Sequence, residues 1–163
     1  MSALPVGFAV SLVVSGHFLF ESLRIPYAAL ARKLAYGWPA LTLQIRDLVT
    51  QTGAVGIVTS DYHTAAWLRF YLGGEIESQQ INERIRWVNM PGPSRQMLEG
   101  PVLYLDGGNP LATELDRLYA SGKEVGMLVR NDKGVEVDTL TAYLFSGLKL
   151  DPQPFFTQHM FPK

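Results

Sequence analysis

The sequence predicts a small α/β domain: a sandwich with a mixed, mostly parallel sheet, preceded by an apolar N-terminal helix. Three observations carry this prediction. The chain has 163 residues, 47% hydrophobic and 18% charged, which suits one domain with an ordinary core and not a disordered chain. Stretches with helical spacing alternate with short apolar runs rich in β-branched residues. The first 20 residues contain no Asp, Glu, Lys or Arg, and the first charge is Glu21.

At 1.5 Å per residue, about 20 helical residues reach across the roughly 30 Å core of a bilayer. Residues 1–22 are therefore expected to form a transmembrane or membrane-edge helix. A buried helix of the soluble fold and a poor signal peptide are the competing readings. No basic residue precedes Arg24, and no small-x-small cleavage site stands out. Residues 23–35 form a connector, 36–150 the soluble α/β domain and 151–163 an irregular Pro- and Phe-rich tail. Arg24, Arg32 and Lys33 weakly favour a cytoplasmic side for the chain beyond the helix.

The elements run in order along the chain. Trp38, Leu41, Ile45, Leu48 and Val49 recur at helical spacing, which predicts a helix from Trp38 to Thr52 ended by Gly53. Ala54 to Thr59 reads as a buried strand. Ser60 or Asp61 caps a helix running from Tyr62 to Leu72, closed by Gly73–Gly74. Ile81 to Val88 alternates and predicts a half-exposed strand, and Met90 to Ser94 a loop. Pro101 to Leu105 is a second apolar strand. Asn109 and Pro110 open a helix with Leu111, Leu115, Leu118 and Tyr119 on its buried side, ended by Gly122. Glu124 to Arg130 and Val135 to Phe145 predict a hairpin around Asn131–Gly134.

The chain has no cysteine, which excludes disulfides, thiolate nucleophiles and Cys-ligated zinc. A net charge of -1 gives no basis for nucleic-acid binding. No nucleophile elbow, zincin motif, P-loop or dinucleotide fingerprint is present, so no catalytic residue, metal or cofactor is assigned. His17 lies in the apolar segment and His159 in the tail. His63 follows a strand end, although an ordinary exposed helix residue explains it as well.

Asp61 and Asp106 each follow a strand. If those strands are neighbours, both carboxylates reach the crevice beyond the strand ends, where open α/β sheets bind ligands. The plainer reading is that Asp61 caps a helix and Asp106 opens a turn. Trp67, Arg69 and Tyr71, with Tyr62 before them and Asn82, Arg84 and Arg86 after, supply aromatic faces and cations suited to sugars and phosphates. Core packing and solvated arginines are the plainer account. The pairs Glu75/Glu77 and Glu136/Asp138 read as surface charge.

Gly37–Trp38–Pro39, Ser60-Asp61-Tyr62, Ala65 to Tyr71 and Gln80 to Trp87 carry a resemblance. From about residue 36 to 147 the chain resembles the C-terminal soluble region of bacterial membrane glycosyltransferases of the dolichyl-phosphate-mannose–protein mannosyltransferase type, a group that includes the aminoarabinose lipid A transferases. The resemblance implies an inner-membrane protein with this domain in the periplasm, opposite to the weak basic bias. It implies a polytopic membrane region or a lipid-linked sugar as partner. The family's acidic catalytic loop has no counterpart here, so the implied role is substrate or acceptor binding, or assembly. The alternatives are a stand-alone sugar- or phosphate-binding module and a small hydrolase using Asp61, Asp106 and His63.

Overall fold

A computed structural model of the chain describes residues 3–20, 27, 31–32, 34–81, 91–107 and 112–149. Its elements run α1 (Ala3–Phe20), α2 (Trp38–Thr52), β1 (Gly56–Thr59), α3 (Tyr62–Leu72), β2 (Glu77–Gln80), α4 (Arg95–Glu99), β3 (Val102–Asp106), α5 (Ala112–Leu118), β4 (Tyr119–Asp132) and β5 (Val135–Leu148). The strands make one five-stranded sheet in the order β2-β1-β3-β5-β4.

The expected α/β class with a mixed sheet is present, but the sheet is not mostly parallel. β1 runs parallel to β2 and β3, whereas β5 runs antiparallel to β3 and β4. The antiparallel part also holds the longest strands, 14 residues each in β4 and β5 against 4 each in β1 and β2. Hairpin partners need only a tight turn and lengthen together, while each parallel pair needs a crossover.

The sheet is covered on both faces. Leu41 and Ile45 of α2 and Leu68 and Leu72 of α3 pack with Ile57, Leu103, Leu105 and Leu140. On the opposite face Met97, Leu98, Leu115 and Leu118 meet Val58, Tyr104 and Phe145. Alternate residues of β1 and β3 therefore enter different cores, which is why both strands are apolar without alternation.

Local chemistry accounts for the ends of α2 and α3. Gly37 and Gly53 flank α2 with φ of 77° and 67°, and a proline lies in its first turn. Asp61 caps α3 by accepting from the Thr64 backbone amide at 2.7 Å, and Gly73 ends it in the left-handed region. Both helices match the expected bounds.

Elsewhere the chain departs from expectation. Strand β2 is Glu-Ser-Gln-Gln and has no apolar periodicity to reveal it. Its place depends on polar contacts: Arg69 donates to the Ser78 carbonyl at 2.9 Å and to Gln79 Oε1 at 2.8 Å. Of the strand expected at Ile81 to Val88, Ile81 is buried next to β2, and 82–90 lie outside the described residues. The helix expected to reach Gly122 stops at Leu118, and Tyr119 begins β4. Gly122 does not terminate a helix but makes room in the sheet, since a Cβ there would meet Phe145 Cε1 at 2.4 Å. The expected cap at Asn109 and Pro110 lies outside the described residues, as does the tail. The hairpin turns through Lys133 and Gly134, both at positive φ, as a two-residue type I′ turn demands.

Helix α1 has 18 residues, about 27 Å of length. Val6 and Phe8 are 67% and 68% exposed, and Val10, Leu12, Val13 and Val14 are exposed as well. Among the described residues no helix is long and apolar enough to cross a membrane. Of the helix expected over residues 1–22, Ala3–Phe20 is helical, with Ser11, Ser15, Gly16 and His17 interrupting its apolar character, and residues 1–2 and 21–22 lie outside the described residues.

Candidate functional site

From β1 the chain passes through α3 to β2 on one side, and later returns to β3 on the other side of β1. Chains leaving β1 and β3 therefore diverge past their carboxyl ends, which opens a crevice there. A pocket of about 230 Å³ occupies it. Ser60 and Asp61 enter from the end of β1 and Gly107 from the end of β3. His63, Thr64 and Trp67 come from the first turns of α3. The facing wall is the hairpin, with Arg130, Asp138, Thr139 and Leu140. Arg32 and Trp38 complete the lining.

On the α3 wall, Asp61 Oδ2 accepts from the Thr64 amide and Oδ1 lies 3.4 Å from His63 Nδ1. Burial opposes ionisation of Asp61, but hydrogen bonds from Thr64 and His63 and the nearby imidazole outweigh it and hold the carboxyl below its ordinary range. Its side chain remains 46% exposed. The Tyr62 ring lies against His63.

On the hairpin wall, Arg130 is 2% exposed. Its Nε and Nη2 donate to the two Asp138 oxygens at 2.9 and 2.6 Å, a bidentate pair. Nη1 donates to the carbonyls of Leu34 and Tyr36, and Nη2 also to that of Arg32. The guanidinium stacks 5.5 Å from the Trp38 ring centroid. One buried cation thus joins the hairpin, the 32–36 segment and the start of α2. Arg32 reciprocates, with Nε and Nη2 donating to the Val137 carbonyl at 3.4 and 3.3 Å. Nearer the turn, the Tyr27 hydroxyl donates to Asp132 and its ring stacks on Tyr36.

The aromatic part of the pocket is a pair: the Trp38 and Trp67 rings lie 6.4 Å apart at 33°. Trp38 is 4% exposed, and its Nε1 is a buried donor with no hydrogen-bond partner among the described residues.

Of the residues singled out from the sequence, Asp61 and Trp67 line the pocket and Tyr62 flanks it through His63. Arg69 does not line it; it straps β2 to α3. Tyr71 packs against Trp67 and Phe70 and, partly buried, against the core shared by α2 and α3. Strands β1 and β3 are neighbours, yet Asp106 does not line the pocket. The alternation of β3 places it on the face of Val102 and Tyr104, opposite Leu103 and Leu105. Asn82, Arg84 and Arg86 lie outside the described residues. Sequence reasoning missed Arg32, Trp38, Arg130 and Asp138. One signal was present: Arg130 shares a strand face with Leu128, an inward position for a charged residue.

Among the described residues no cluster of three or more histidine or acidic side chains could hold a metal. The pocket instead offers carboxylate acceptors, hydroxyls and an indole face, the groups that hold a polyhydroxylated ligand. No protein family, curated protein or solved structure matches this chain.

Proposed function

We propose that this chain is a non-catalytic sugar-binding domain of a polyprenyl-phosphate-sugar-dependent membrane glycosyltransferase. In this reading it lies on the periplasmic side of the inner membrane and binds substrate or acceptor for a polytopic partner region. The observation that carries the proposal is the pocket beyond β1 and β3, where Trp67 and Trp38 stand beside Asp61 and Asp138. The sequence resemblance supports the transferase context, and the exposed apolar surface of α1 supports contact with lipid or with membrane helices. The domain would contribute binding and leave bond making to the catalytic loop of the larger assembly.

Calorimetric titration of the full chain in detergent micelles with methyl hexopyranosides tests the binding step. Saturable heat that disappears in Trp67→Ala is expected; no heat with any glycoside sinks the proposal. Protease access in intact bacteria tests the location, with cleavage from the periplasmic side expected.

A stand-alone binding module is the second reading of the same pocket. An adjacent coding sequence for a polytopic membrane protein would favour the transferase reading. The hydrolase alternative has no support in the pocket, because Asp61 and His63 meet there without Asp106.

A further inference from the structure

We infer that Arg32 makes the pocket selective for an acidic sugar, a single ring whose carboxylate sits on the Arg32 guanidinium while a ring hydroxyl donates to Asp61. This rests on the sugar-binding reading and names the class of sugar.

Size sets the first limit. About 230 Å³ lies below the roughly 300–1,000 Å³ of sites for drug-sized ligands, so one ring fits and an oligosaccharide does not.

Open hydrogen-bonding capacity sets the second. Arg130 lines the pocket but is 2% exposed, and its guanidinium is taken by both Asp138 oxygens and three carbonyls. Arg32 differs. It is exposed, and its Nε and Nη2 share one acceptor, the Val137 carbonyl, at 3.4 and 3.3 Å. Those contacts are at the long end of hydrogen bonding and are easily exchanged. Its Nη1 has no acceptor among the described residues. The Val137 carbonyl immediately precedes Asp138, so the guanidinium lies along the hairpin wall within reach of solvent. On the α3 wall the Asp61 side chain is 46% exposed. One of its oxygens takes the Thr64 amide, and the other stands 3.4 Å from His63. Half-buried Trp67 lies in the same lining.

Charge sets the third. Arg130 and Asp138 cancel each other. Arg32 then contributes one positive charge, and Asp61 one negative charge with His63 against it. A carboxylate brings one negative charge and two coplanar oxygens, which match the guanidinium fork. A phosphate monoester brings up to two charges. Among the described lining residues no second open guanidinium meets the surplus, which is left to face Asp61. A neutral sugar leaves the Arg32 guanidinium on its long contact and gains less.

The test is calorimetric titration of the full chain in detergent micelles. The ligands are methyl glucuronoside and methyl galacturonoside, their uncharged carboxamides, the parent methyl glucoside and galactoside, and glucose 6-phosphate. At least one acid should bind about tenfold tighter than its carboxamide, and added salt should narrow that gap. Arg32→Gln should bring acid and carboxamide level, whereas a general loosening of the wall would weaken both and keep their ratio. Arg32→Lys keeps a charge for the Val137 carbonyl without the fork and should retain part of the preference; it decides if Arg32→Gln does not fold. Acids that bind no tighter than their carboxamides overturn this inference and leave sugar binding intact. So does a preference that survives in Arg32→Gln, which would place the carboxylate elsewhere. Glucose 6-phosphate binding tighter than either acid overturns the charge argument. Silence towards every ligand removes the sugar-binding reading itself.

Discussion

The two walls of the pocket carry the same kinds of groups and use them differently. On the α3 wall, the Asp61 carboxylate is 46% exposed and held by a backbone amide and an exposed imidazole. On the hairpin wall, Asp138 is tied to a guanidinium that is 2% exposed and reaches three further carbonyls. Removing Asp61 exposes a helix end that water can reach. Removing Asp138 leaves a buried cation without its counter-ion. Proximity to a pocket therefore does not mark a charged residue as a ligand contact; what matters is whether its bonds are already filled.

The largest expected effect comes from that difference. Asp138→Ala should lose about 3–5 kcal/mol in urea unfolding, because Arg130 is left charged and buried. A loss comparable to that of Asp61→Ala would erase the contrast between the walls.

The root of the hairpin offers a second test. Burial pushes the Tyr119 phenol up to about 12. Its proton is held more tightly in the folded chain than in the unfolded one, where the phenol titrates near 10. The stability it contributes is present below about pH 10 and is lost as pH rises towards 12. Over those two units the loss is about 2–3 kcal/mol. Unfolding midpoints between pH 9 and 12, compared with Tyr119→Phe, would check it: the substitution should flatten the alkaline decline.

Asp61→Ala removes a helix cap and should cost about 1 kcal/mol, while Asp61→Asn should change stability little. Thermal unfolding of both variants distinguishes capping from an ion-pair role, which would make the two equally damaging. The smallest effect is on the acid side. The Asp61 carboxyl is held below its ordinary range, so its contribution is present above the unfolded carboxylate range and disappears as pH falls through the folded value. A gentler acid decline in Asp61→Asn than in the parent protein is expected from unfolding midpoints between pH 5 and 2.

Parts of this molecule were legible because their causes are local. Helix α3 is specified by Asp61 three residues from the amide it caps, by the spacing of Ala65, Leu68 and Leu72, and by Gly73 in the left-handed region. Helix α2 is bounded by Gly37 and Gly53 in the same way. Strands β1 and β3 showed themselves because both faces are buried and the sequence must be apolar throughout. Strand β2 escaped notice because side chains far along the chain satisfy its polar residues: Glu77 accepts from Ser94, and Gln80 reaches the Ser60 carbonyl. The arginines suggested by composition divide for a related reason. Arg69 was conspicuous among aromatics, yet its hydrogen bonds go to β2.

By itself, then, the sequence determined the α/β class, the two principal helices with their caps, the hairpin and the place of Asp61 beyond a strand. Each depends on residues a few positions apart or on periodicity within one element. The tertiary structure alone decided the order of strands and the second wall of the pocket. Asp132 pairs with Val135 and Asn131 with Glu136, a register that would carry Arg130 to Val137. The ladder slips by one residue there, and Arg130 meets Asp138 instead. Such a slip exchanges which side chain faces inward, and it is accompanied by contacts to the 32–36 segment, nearly a hundred residues earlier in the chain.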